Sequence, residues 1–208
     1  MRIITGSARG IQLQTLEGML VTRPTTDRVK EALFSMLQFD IEGRKVLDLF
    51  AGSGQLGLEA LSRGAAKAVF IDSSREAVDI ILKNAAKTRL KDRCSVSATD
   101  FKGYLASASG REKFDIIFLD PPYNSEYMAE ALELIEKNGI LALNGVAVCE
   151  TDTEEEERRK NKKAPKTDDL SAVLNDVFHS NSELMDKYCV RKTVRYGRTR
   201  VTLLEIAD

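Results

Sequence analysis

From residue 45 onward, continuous apolar runs alternate with one-sided helical patterns. RKVLDLF precedes an amphipathic stretch at 55–63, KAVFID precedes one at 74–88, CSVSA a short one at 101–107, and FDIIFLD one at 126–137; ILALNGVAVCE comes last. Strands that are apolar on both faces and separated by helices predict βα units around a parallel sheet buried on both sides. Within 126–137, Met128, Ala131, Leu132 and Ile135 fall on a single stripe, as a helix packed against that sheet requires. Before this core, residues 2–20 hold two short apolar segments and several glycines, a pattern that predicts a small hairpin. RPTTDRVKEALFSML then predicts a helix capped by Thr25 or Thr26, with Asp27 and Glu31 in its first turn and Val29, Leu33, Phe34 and Leu37 on its buried face. At the other end, KYCVRKTV and RVTLLEI flank a turn containing Gly197 and predict an antiparallel strand pair that closes the sheet edge. The chain therefore reads as a hairpin extension at 1–22 followed by one α/β domain at 23–208.

One stretch breaks the alternation. Residues 152–186 open with TDTEEEERRKNKKAPKTDD, where Glu154, Glu155 and Glu156 stand at helical spacing from Arg158, Arg159 and Lys160. A solvated inserted helix or loop accounts for this charge run more economically than an interaction arm does.

Composition narrows the class. With 208 residues, 43 % hydrophobic and 30 % charged, the chain has enough apolar material for a core, and collagen-like or disordered chains are excluded. No apolar run approaches the roughly 18 to 20 residues that span a bilayer, and MRIITGSARG lacks the apolar region of a signal peptide. A soluble, cytoplasmic protein with no membrane partner is expected. Cys94, Cys149 and Cys189 form no CxxC pair, so neither a disulfide framework nor a zinc site is expected, and no other metal either. The net charge of −1 argues, as a bulk figure, against a nucleic-acid partner, but its distribution reverses that conclusion. Residues 1–30 carry five Lys and Arg against two acids, and residues 187–201 carry six against none, so near-neutrality is a cancellation between two basic ends and an acidic remainder. Arg9, Arg23, Arg28, Arg195, Arg198 and Arg200 are the candidate phosphate contacts.

The candidate chemistry lies at the strand ends. After VLDLF comes AGSGQLG, a G-x-G-x-x-G built from Gly52, Gly54 and Gly57, with Phe50 and Ser53 in the same loop. Glycines here allow a tight strand-to-helix turn whose backbone N–H groups approach a ligand at the positive end of the next helix. Asp72, followed by Ser73, ends the next strand 18 residues after Gly54, where a carboxylate accepts from ribose hydroxyls. A nicotinamide dinucleotide and S-adenosylmethionine both satisfy this pattern. Asp48 favours the second, because its carboxylate suits a cationic amino group and repels a pyrophosphate. Asp100 and Phe101 follow the third strand, placed to receive and pack an adenine, or to serve as a helix cap and a core aromatic.

The sharpest signal is Asp120-Pro121-Pro122-Tyr123 at the end of FDIIFLD. Two prolines stiffen the loop and fix the Asp120 carboxylate and the Pro121 carbonyl as paired acceptors for an exocyclic amine, while Tyr123 is placed to stack on its ring. Such a pair favours the pyramidal amine whose lone pair attacks a methyl group, which is catalysis by positioning and electrostatic preorganisation.

RIITGSARG, RPTTDRVKEALF, VLDLFAGSGQLGLEALSRGA, Asp72, FDIIFLDPPY and YGRTRVTLLE together resemble the RsmD-type methyltransferases, class I S-adenosylmethionine enzymes that methylate a guanine N2 amine of 16S ribosomal RNA. The resemblance implies a seven-stranded class I sheet, mostly parallel, and a substrate within the small ribosomal subunit or its assembly intermediate. A monomer is expected. It assigns Asp48, Gly52, Gly54, Asp72 and Asp100 to the cofactor and Asp120, Pro121 and Tyr123 to the guanine amine, and places Arg23, Thr25 and Arg28 in a loop bordering both. Three features depart from the family pattern: Asp72 where Glu is commoner, Gln55 in place of a small residue, and the long charged insert. Because the tetrapeptide also serves N6-adenine and N4-cytosine chemistry, other N-methyltransferases on DNA, RNA or protein stay open. So do an NAD(P)-dependent oxidoreductase and a silent binding module. His179, the single histidine, lacks a nucleophile elbow and reads as a surface or capping residue.

Overall fold

The structure is a computed structural model that describes residues 1–16, 27–122, 126–152, 177–178 and 181–207. Helix α1 (Asp27–Met36) is followed by β1 (Lys45–Asp48), α2 (Gln55–Ser62), β2 (Lys67–Asp72), α3 (Arg75–Lys87), β3 (Cys94–Ala98), α4 (Phe101–Ala108), β4 (Phe114–Leu119), α5 (Tyr127–Lys137) and β5 (Leu141–Asp152). A short α6 (Ser182–Met185) then leads into β6 (Tyr188–Tyr196) and β7 (Thr199–Ile206). The seven strands lie in the order β3-β2-β1-β4-β5-β7-β6. Strands β1 to β5 pair in parallel, and β7 runs antiparallel between β5 and β6, so the C-terminal pair extends one edge as the sequence predicts. Strand order reverses between β1 and β4, which opens a crevice at their carboxyl ends, the place where open α/β sheets hold ligands.

Alternation along each strand feeds two cores. Val46, Phe70 and Phe118 face a layer holding Leu33, Phe34, Leu58, Leu61 and Ile81, whereas Leu47, Ile71 and Ile117 face Leu105, Leu132, Ile135 and Phe178. Helices α1 to α3 therefore cover one face and α4, α5 and the short α6 the other. Local signals agree with these ends: Ser74 caps α3 by accepting from the Ala77 N–H at 3.3 Å, and Asp100 caps α4 by accepting from the Gly103 N–H at 2.8 Å. Opposite β4, the chain at residues 142–145 bulges out of β5, with Asn144 at φ 59°.

Residues 1–13 fold back through one isolated antiparallel bridge, Arg2 to Gln12, rather than through two regular strands. The segment is held by side chains of α2. Glu59, fully buried, accepts from the Ile4 N–H at 2.7 Å and the Thr5 N–H at 3.0 Å, and Ser62 Oγ accepts from the Ala8 N–H at 3.0 Å. The approach is so close that a Cβ at Gly6, where φ is +87°, would lie 1.8 Å from the Ser62 carbonyl oxygen. Lys30 of α1 completes the junction: wholly buried, it donates to the Arg2 carbonyl and sits 3.4 Å from Glu59, which Arg63 also meets at 2.9 Å. Burial holds the Lys30 ammonium below its ordinary pKa, against the pull of Glu59. Among the described residues, no helix is long and apolar enough to cross a membrane.

Candidate functional site

The loop after β1 continues the sheet's hydrogen bonding on both sides. The Leu49 N–H donates to the Phe118 carbonyl of β4 at 3.1 Å, and the Ala51 N–H donates to the Ile71 carbonyl of β2 at 2.9 Å. Gly52 and Gly54 then adopt φ of +53° and +77°, and Gly54 caps α2 in the left-handed conformation. Gly57 serves differently: its missing Cβ leaves room for the Phe70 ring, which such an atom would approach to 2.3 Å. The three glycines thus make the turn and bring α2 down onto β2.

Three carboxylates gather along this edge. Asp72, ending β2, accepts from the Gly52 N–H at 2.8 Å and the Ser74 N–H at 2.9 Å, which ties the turn to the neighbouring strand. Asp48, ending β1, is 2 % exposed and accepts from the Gly57 N–H at 3.0 Å. Burial pushes its carboxyl up to about 7, with Asp120 and Asp72 adding to the rise and the Gly57 N–H opposing it. Asp120 follows β4, the strand beside β1, and is partly exposed; Pro121 is buried and Pro122 exposed. A carboxylate whose pKa is raised chiefly by burial, with two other acids adding to the rise, is an arrangement that a cation relieves.

The residues present fit S-adenosylmethionine. A Cβ at Gly52 would meet nothing within 4 Å, so the turn has open space above it. Acceptors stand on this turn and the strand ends beside it: the Asp48 and Asp72 carboxylates, and in α2 a buried Gln55 Oε1 that has no hydrogen-bond partner among the described residues. Carboxylates that have only backbone N–H donors and, among the described residues, no cation beside them suit a ligand carrying an ammonium group and ribose hydroxyls. The aromatic side chains sit at the same edge. Phe101, 6 % exposed, lies 5.2 Å from both Phe50 and Tyr127, whose rings are parallel to within 3° at 6.4 Å.

Comparison with known proteins fits this geometry. The family model described as Conserved hypothetical protein 95 matches residues 1–172. The chain belongs to this family, that of the RsmD-type methyltransferases. It is 39 % identical over 153 residues to Ribosomal RNA small subunit methyltransferase D of Escherichia coli K12, covering 74 % of this chain and 75 % of that protein. Against the protein of the same name from Haemophilus influenzae it is 37 % identical over 154 residues, 73 % of this chain and 78 % of that one. The solved structure of Escherichia coli yhhF superposes with a TM-score of 0.76 at 29 % identity, over 99 % of this chain and 97 % of that one. The protein is thus an S-adenosylmethionine-dependent methyltransferase with the class I sheet.

Within this methyltransferase, Asp48, Phe50, Gly52, Ser53, Gly54, Asp72, Ser73, Asp100 and Phe101 all lie at the carboxyl ends of β1, β2 and β3 or in the segments that directly follow them, as Asp120 and Pro121 follow β4. Asp100 is the helix cap of the second sequence reading, its Oδ1 accepting from Gly103 at the start of α4, and the residue is exposed at the edge. The Ser53 hydroxyl points away from solvent, donating to Met1 Sδ at 3.6 Å. Arg23, Thr25, Tyr123 and His179 lie outside the described residues, as does most of the charged insert. Arg9, Arg28, Arg195 and Arg198 are exposed. Arg200 is not: it is 3 % exposed near the start of β7, between Thr151 of β5 and Arg195 of β6, and is withdrawn from the phosphate-contact set because a guanidinium so enclosed does not reach the surface.

Tyr127, 41 % exposed, has no counterpart among the residues singled out from the sequence. The signal for it is an aromatic at the first turn of the helix that follows the proline loop. Asn84, Lys30 and Glu59 were likewise unforeseen. Each is a polar residue on an otherwise apolar helix face, and that mismatch is the sign that such a residue has a buried partner.

Proposed function

We propose that this enzyme transfers a methyl group from S-adenosylmethionine to the exocyclic N2 amine of a guanine in 16S ribosomal RNA, presented in the small subunit or its assembly intermediate, in the cytoplasm. The observation that carries the reading is the placement of Asp48 with its glycine turn and Asp120-Pro121 at the carboxyl ends of adjacent parallel strands, joined through the bond from Leu49 to Phe118. When bound, S-adenosylmethionine supplies an electrophilic methyl group whose carbon–sulfur bond breaks with its electron pair left on sulfur. Asp48 holds the cationic amino group, Asp72 the ribose hydroxyls, and Phe101 packs the adenine. Asp120 and the Pro121 carbonyl accept from the two amine hydrogens, which aims the nitrogen lone pair at the methyl carbon. As positive charge builds on nitrogen, the Asp120 carboxylate stabilises it, and one of the two amine protons then leaves through that carboxylate to solvent to give the neutral methylamine. Tyr123 stacks on the guanine, and Arg9, Arg28, Arg195 and Arg198 meet phosphates.

The relatives named as small-subunit methyltransferases support the RNA substrate; the tetrapeptide supports transfer to an exocyclic amine, and the guanine is inferred from the family alone. The test is transfer of labelled methyl groups to small-subunit RNA from cells lacking the gene, followed by nucleoside analysis. N2-methylguanosine is expected; N6-methyladenosine, or tighter binding of NADPH than of S-adenosylmethionine, contradicts the reading.

A further inference from the structure

Asn84 is a polar side chain with no exposed surface on the buried face of α3, between Ile80, Ile81 and Ala85. All of its amide's strong bonds are spent on two distant pieces of backbone. Its Oδ1 accepts from the Gln14 N–H at 2.8 Å, and its Nδ2 donates to the Gln14 carbonyl at 3.0 Å and to the Ser53 carbonyl at 2.9 Å. The Gln14 N–H fixes which end of the amide is oxygen, so both donors must face carbonyls. One side chain therefore joins the N-terminal segment to the cofactor turn.

The bond to Ser53 has a particular place in the turn. In a continuing helix the Ser53 carbonyl would accept from the Gly57 N–H, four residues on. Here that N–H donates instead to Asp48, and the first bond of α2 runs from Leu58 to Gly54. The Ser53 carbonyl and the Gly57 N–H are thus held apart by two buried side chains, Asn84 on one and Asp48 on the other. Next to this separation the turn is open at Gly52, where a Cβ would meet nothing within 4 Å.

We infer that Asn84 is a positioning residue for cofactor binding, through which the N-terminal segment sets the shape of the glycine turn. The inference rests on the cofactor reading above. It makes the extension part of the binding apparatus rather than an appendage: Gln14 holds Asn84, Asn84 holds Ser53, and the turn accepts the ligand only in that arrangement. By thermodynamic reciprocity, a ligand on the turn also stabilises the docked segment.

The test uses the full-length protein, S-adenosylhomocysteine as the calorimetric probe, and two variants that break different bonds. Asn84→Asp keeps the acceptor for Gln14 but opposes an oxygen to the Ser53 and Gln14 carbonyls. Gln14→Pro removes the N–H that donates to Asn84 and leaves α3 and the turn unaltered in sequence. Losing a bond to a buried carbonyl predicts about a tenfold weaker dissociation constant for Asn84→Asp, and about threefold for Gln14→Pro. In turnover assays the KM for S-adenosylmethionine rises in step, while kcat at saturating cofactor stays within about twofold. A merely structural role lowers the melting temperature and leaves the dissociation constant and KM as in the wild type, and that result overturns the inference. Because the wild type is titrated alongside, its failure to bind the probe overturns the cofactor reading and this inference together, whereas normal binding by wild type and both variants overturns this inference alone.

Discussion

The proposed pairing of Asp48 with the ammonium group of S-adenosylmethionine predicts an affinity that depends on pH, in a direction set by the raised pKa of the Asp48 carboxyl. The carboxyl's ordinary value of 3.8 rises to about 7 in the folded protein, chiefly because it is buried, so it is neutral at mildly acid pH and must ionise to pair with a cation. A group whose folded pKa is raised binds more protons in the folded state than in the unfolded one. It therefore costs stability progressively as pH climbs from about 4 to about 7. About three pH units at roughly 1.4 kcal/mol each put that cost near 4 kcal/mol for the ligand-free protein above neutrality, as an order of magnitude. A bound ammonium lowers the pKa and recovers part of that cost. Below pH 7, binding then requires release of a proton, and the dissociation constant weakens by up to about tenfold per pH unit as pH falls. Calorimetry with S-adenosylhomocysteine between about pH 5.5 and pH 8 reads this directly, and repeating it in buffers of different ionisation enthalpy counts the proton. Asp48→Asn keeps an acceptor for the Gly57 N–H and removes the titration; it should bind weakly with a flat profile and melt higher than the wild type at pH 8. A wild-type affinity that does not change over this range, or an Asp48→Asn profile as steep as the wild type's, refutes the reasoning.

Three further outcomes follow from the packing. Gly57→Ala drives a methyl group into the Phe70 ring, and chemical denaturation should show a loss of about 1–3 kcal/mol, much of it recovered by pairing the change with Phe70→Leu. Lys30→Met leaves the buried Glu59 carboxylate with Arg63 alone and should cost about 3–5 kcal/mol, with early proteolysis near residues 1–16; equal stability in denaturant would contradict the assigned pairing. Neutralising Arg9, Arg28, Arg195 or Arg198 singly should reduce the salt slope of RNA binding by about one unit without altering S-adenosylhomocysteine affinity, whereas Arg200→Met should lower the melting temperature and leave the slope unchanged.

What the sequence makes legible follows from how many constraints act on one residue. Val46, Leu47 and the run Ile116–Leu119 are buried on both faces, so a continuous apolar run admits one reading, and the βα alternation predicts the parallel pairing though not the strand order. The glycine turn is equally plain because Gly57 meets a steric limit at Phe70 and Gly52 and Gly54 meet a conformational one. Lys30 and Glu59 escape because a lysine and a glutamate on amphipathic helices ordinarily face water; only the docking of residues 4 and 5 encloses them. Arg200 misleads for the converse reason. In a strand it alternates with Thr199 and Val201, and its burial is set by β5 and β6 on either side, which local pattern does not report. Residues 2–20 have apolar pairs enough for a hairpin, yet in the described part, up to residue 16, the side chains of Glu59 and Ser62 take backbone groups that a regular strand pair would use, and one bridge forms.

The central claim is that Asp120 and the Asp48 turn bring a guanine amine and a methyl donor together at one sheet edge. Its most direct measurement is nucleoside mass spectrometry of 16S ribosomal RNA from cells lacking the gene, complemented with the wild type or with Asp120→Ala. One N2-methylguanosine per RNA should disappear with the gene, return with the wild type and stay absent with Asp120→Ala. Unchanged N2-methylguanosine on deletion, or full restoration by Asp120→Ala, contradicts the account.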